Sequence, residues 1–240
     1  MRRLLLVLLI VGCGCSGGGS DRAPAPRVLT EVEMVAAMEN HYTLAIEAHD
    51  ALIRGDLAGV RMQLKKLSAA RLPGNAPQRW LPLQGQLRSA ALRGAEAGNL
   101  AAAASGLAAV AESCGNCHTA LITGSRYPAP GQPDSTTEVE SKMQTHQWAS
   151  ERLWEGITGP WDHAWKRGTA LLASADVFQD EVSQDMKLRE AALRRKAAEA
   201  GEATTHQDRA RLYGELLIVC AACHQKADAR IPLKHKPPTP

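Results

Sequence analysis

The chain has 240 residues, of which 45% are hydrophobic and 22% charged, with a formal net charge of +3. That length and apolar content place it among globular proteins able to bury a core. The small net charge, with no basic cluster, argues against a nucleic-acid partner.

The first 20 residues, MRRLLLVLLIVGCGCSGGGS, begin with Arg2 and Arg3, continue in an apolar run from Leu4 to Val11 and end in small residues. This is an export signal followed by a tether, too short to serve as a membrane-spanning helix. Ile10-Val11-Gly12-Cys13 resembles the lipobox of bacterial lipoproteins, in which Cys13 would be lipidated and become the new N-terminus. An ordinary cleaved signal, with Cys13 merely near the cut, is the alternative. Either way the expected location is the periplasm, and the lipobox adds a lipid anchor to a bacterial membrane.

Beyond the signal, Ala and Leu dominate, while the chain holds three Tyr and one Phe. Such local preferences predict an all-α protein. In chain order, Thr30 caps a helix reaching about residue 54, Gly55-Asp56 breaks and restarts it as a second helix to about 70, and a loop follows over Pro73 to Pro77. A third helix ends near residue 97, and Gly98-Asn99 opens a fourth that ends just past His118. Residues 127–135, rich in Pro and Gly, read as a linker. Four more helices are expected over 136–155, 160–173, 180–200 and 205–227, with the proline-rich 230–240 as a disordered tail.

CGNCH at Cys114 to His118 recurs as CAACH at Cys220 to His224, 106 positions later. Met38-Glu39-Asn40-His41 is echoed by Met143-Gln144-Thr145-His146 at an offset of 105. The chain therefore reads as a tandem duplication. Residues 28–126 and 136–229 are expected to form two four-helix bundles, each closed by its pentapeptide at the end of the last helix.

Cys-x-x-Cys-His is the attachment signal for c-type haem: two thiols add to the porphyrin vinyl groups, and the adjacent histidine ligates the iron. Cys114 and Cys117 would anchor a first haem with His118 as its ligand, and Cys220 and Cys223 a second with His224. A thioredoxin-like dithiol fits less well, because the motif closes a helix and no strand precedes it. A shared zinc site would use the four cysteines but gives no reason for a histidine in the fifth place of both motifs. Cys13 and Cys15 lie in the export segment and the other four cysteines in the pentapeptides, which leaves none for structural disulfides.

Four helices in about 100 residues, a CxxCH near the end of the last and a candidate axial ligand on the first resemble cytochrome c′ and its low-spin relatives. The resemblance spans Val28 to about Ala229 as two copies, and the duplication departs from the one-haem pattern of the family. It implies a haem inside each bundle, against its first and last helices. The sixth ligand is open between His41 with His146 and Met38 with Met143, with the histidines favoured.

The expected function is a dihaem one-electron carrier serving other periplasmic redox proteins, and not an enzyme. The alternatives are a small peroxidase-like catalyst or a gas sensor with an open sixth position. Trp148, Trp154, Trp161 and Trp165 are expected to fill core and haem-edge space, and His49, His163, His206 and His235 to be surface or capping histidines.

Overall fold

The computed structural model describes residues 30–121, 131–134, 139–178 and 182–227, so Cys13, the signal and the tail lie outside the described residues. The described chain is all-α, with eight α-helices, a short 3₁₀ turn at Gln78–Trp80 and no strand. The helices are α1 (Glu31–Ile53), α2 (Leu57–Ala69), α3 (Leu81–Ala95), α4 (Leu100–Leu121), α5 (Val139–Thr158), α6 (Asp162–Ala173), α7 (Gln184–Gly201) and α8 (His206–Ala227).

Local chemistry explains the boundaries. Thr30 and Glu33 form a reciprocal capping box at the start of α1, with the Glu33 amide donating to Thr30 Oγ1 at 3.2 Å and the Thr30 amide to Glu33 Oε2 at 3.0 Å. At the other end Gly55 takes φ +74°, the left-handed conformation that glycine reaches without a Cβ clash. The Gly55 amide bonds the Leu52 carbonyl and the Asp56 amide reaches the Ala51 carbonyl, the paired bonds of a Schellman stop. Asp56 then caps α2 by accepting from the Gly59 amide, and Asn99 does the same for α4 from Ala102.

Two boundaries differ from the sequence expectation. α5 runs on to Thr158, as far as Gly159-Pro160, instead of stopping near Glu155, and Gly156 within it packs so closely that a Cβ would collide with the backbone of Trp165 on α6. α7 begins at Gln184, where the Ser183 hydroxyl accepts from the Met186 amide.

Helices α1 to α4 pack on their chain neighbours, with α1 also against α4, and α5 to α8 repeat the arrangement with α5 against α8. Contacts of α4 with α8, α4 with α5 and α1 with α8 join the two sets. One hydrophobic core runs through both, from Leu52, Leu64 and Leu107 to Leu153, Trp165, Leu216 and Leu217, all essentially inaccessible.

Candidate functional site

The pentapeptides occupy the last turns of α4 and α8, where the sequence places them. None of these four cysteines is in a disulfide, and all are half-buried. Burial first, then the neighbouring motif cysteine, pushes Cys114 and Cys220 up to about 12, and burial raises Cys117 and Cys223. Among the described residues no three His, Cys, Asp or Glu side chains converge as a metal-ion cage.

In the second four helices the candidate residues come together. A cavity of about 510 Å³ is lined by Cys220, Cys223 and His224 of α8 and by Met143 and His146 of α5. Leu153, Leu172, Leu216 and Leu217 also line it, together with charged Glu140, Glu151, Arg189 and Glu190. His146 and His224 are close enough to sense each other's charge: burial, and after it His224, lowers the His146 pKa to about 4. Burial lowers His224 as well, so both imidazoles are neutral, the form that ligates metals. His146 Nε2 and His224 Nδ1 are sealed from solvent and without a hydrogen-bond partner among the described residues.

In the first four helices Cys114 packs on the core from α4, and His41 is buried on the adjacent α1 with its pKa lowered by burial. Met38 is half-buried one turn earlier. His118 Nδ1 lies 2.7 Å from the Thr158 carbonyl oxygen at the end of α5. Burial lowers the His118 pKa, with that hydrogen bond pulling the other way.

Several residues belong to the site that the sequence reading passed over. His49, expected on the surface, is buried: its Nδ1 meets Asp50 and its Nε2 meets Ser150, both at 3.3 Å, and its ring stacks on Tyr213. With Asp50 and Ile53 it carries α1 into the wall of the cavity in the second four helices. The position of His49 hides this, because its counterpart in the repeat is Trp154 and no histidine echo flags it. His206 is half-buried with Nε2 3.3 Å from the Glu112 carbonyl, His163 is exposed as expected, and His235 lies outside the described residues. Trp148, Trp154 and Trp165 are buried and Trp161 half-buried, but none lines the cavity; Trp165 Nε1 instead donates to the Ala200 carbonyl at 2.8 Å.

No protein-family model matches the chain, and no curated protein or solved structure matches it. Among the described residues no helix is long and apolar enough to cross a membrane.

Proposed function

We propose that the chain is a dihaem c-type cytochrome, built as two tandem four-helix bundles over residues 28–126 and 136–229, that carries electrons one at a time. Cys114, Cys117 and His118 hold one haem, and Cys220, Cys223 and His224 the other. His41 and His146 supply the sixth ligands. The observation that carries this reading is the cavity of about 510 Å³ that gathers both thiols and two facing histidines from elements far apart in the chain. Its volume lies within the roughly 300–1,000 Å³ of cofactor pockets. The donor set suits an iron porphyrin: two thiols one turn apart, two neutral imidazoles from different helices, and a buried His146 nitrogen with no partner among the described residues.

When bound, the haem supplies a one-electron couple that needs no bond to substrate. The chain supplies anchoring through the thiols, orientation through the imidazoles and exclusion of water through the leucine wall. A pair of histidines at one site favours the carrier over a catalyst or gas sensor, both of which need a vacant position.

Mass spectrometry of the exported protein tests the proposal. Two haem additions that survive acid–acetone extraction are expected, and one or none overturns it. The location follows from the export signal and the lipobox-like Cys13, through which the protein would be tethered in the periplasm to meet its redox partners. Cys13→Ser should release the protein into the soluble fraction, and a wild type already soluble after osmotic shock refutes the tether.

A further inference from the structure

The two motif histidines differ in what their Nδ1 atoms meet. His118 Nδ1 lies 2.7 Å from the carbonyl oxygen of Thr158, the last residue of α5. A carbonyl only accepts, so Nδ1 carries the proton and Nε2 is left with its lone pair. His224 Nδ1 is sealed from solvent and has no partner among the described residues. Two residues past the end of α1, the Gly55 carbonyl accepts from the neighbouring Gln225 Nε2 at 3.3 Å and not from His224.

A second observation shows that the first contact is built into the packing. Gly115, inside the first pentapeptide, has no room for a side chain, because a Cβ would run into the Ile157 carbonyl oxygen one residue before Thr158. Its counterpart in the second pentapeptide is Ala221, which is buried and carries its Cβ without difficulty. Glycine thus lets the end of α4 settle against the end of α5, and that approach brings His118 to the carbonyl.

We propose that the Thr158 carbonyl is a positioning group for His118 that makes the two haem sites unequal, the first having the lower reduction potential. This rests on the dihaem reading above. An acceptor on Nδ1–H fixes the ring and makes Nε2 a stronger donor, which favours the ferric state; His224 has no such acceptor. With histidine as the candidate sixth ligand at both sites, the hydrogen bond is the difference between the two ligand sets. A single electron added to the chain therefore rests at the second site, and no proton or covalent bond changes place.

The test uses the full-length, haem-loaded protein, with the haem count taken first by mass spectrometry. Spectroelectrochemical titration should resolve two midpoints. Gly115→Ala, which keeps the attachment motif intact, should raise the lower midpoint toward the upper one and leave the upper unmoved, while Ala221→Gly moves neither. Should Gly115→Ala fail to fold, NMR of the ¹⁵N-histidine-labelled wild type decides the matter: the Nδ1 proton of His118 should carry the shift of a hydrogen bond to a carbonyl, and that of His224 should not. A single wild-type midpoint, movement of the upper midpoint in Gly115→Ala, or matching Nδ1 behaviour in the two rings overturns the inference while leaving a dihaem protein. A haem count below two overturns the dihaem reading itself.

Discussion

His49 and Trp154 stand 105 positions apart, the interval that also separates His41 from His146, and their ring centroids lie 6.3 Å from each other. Tyr213 of α8 completes the cluster, stacked at 6.2 Å and 6° on His49. Each set of four helices consequently lends parts to the other: α1 gives His49, Asp50 and Ile53 to the cavity of the second set, and α5 gives the Thr158 carbonyl to His118 of the first.

Shared walls and a continuous core predict that the two sets unfold together. Four of the five tryptophans lie in the second set and only Trp80 in the first, so tryptophan emission reports mainly on α5 to α8 while far-ultraviolet circular dichroism reports on all helices. The two urea transitions should coincide, as for one cooperative unit. Midpoints separated beyond error would show that the sets are independent and that the α4–α8 contact is weak.

A pH dependence follows from α5. Arg152 and Glu155 are both buried and paired at 2.6 Å. Burial pushes the Glu155 carboxyl up to about 7, outweighing the pull of Arg152. The folded protein thus binds a proton that the unfolded chain, with an ordinary carboxyl near 4.5, has already released. This contribution to stability is fully present below pH 4.5 or so and is lost as pH rises through about 7. Glu155→Gln should flatten that fall in denaturation free energy, and an unchanged pH profile in the variant would count against the assignment.

The crossing of α3 and α4 offers a purely structural test. A Cβ at Gly106 would meet the backbone of Gly94, and no side-chain rotation can relieve a clash with main chain. Gly106→Ala should therefore cost about 1–3 kcal/mol, the usual range for overpacking, despite the better helix propensity of alanine. Stability equal to or above wild type in denaturant titration would mean that the helices part without cost.

Most of the helical plan was legible from the chain because its punctuation is local. Thr30 with Glu33, Gly55-Asp56, Asn99 and the pentapeptides each act within a turn or two of where they stand. What was hidden depends on partners in other helices, which no local pattern announces. His49 reads as a surface or capping histidine until Ser150 and Tyr213 close over it, and the close packing of Gly156 on Trp165 has no signal in the sequence. The repeat carried the information in part, since equivalent positions of a duplicated chain are candidates for mutual contact, but an unlike pair such as His49 and Trp154 leaves no echo to notice.

The choice between histidine and methionine as sixth ligand turns on what each side chain needs when buried. A thioether is content in an apolar wall, so Met143 beside the cavity is explained by packing alone. An imidazole nitrogen is not: leaving a buried polar atom unsatisfied costs about 1–3 kcal/mol, and His146 Nε2 has no partner among the described residues. An iron facing His224 would satisfy it. The oxidised wild type should then lack the weak far-red absorption band of methionine sulfur on ferric haem, and the reduced protein should not bind carbon monoxide. His146→Ala should open the second site, so that carbon monoxide shifts the spectrum of one haem of the two, and His41→Ala should do the same at the first. Met143→Ala and Met38→Ala should leave both spectra as they are. A far-red band in the wild type that vanishes in the methionine variants, with carbon monoxide still excluded from His146→Ala, would make methionine the ligand and reduce His146 to a core histidine.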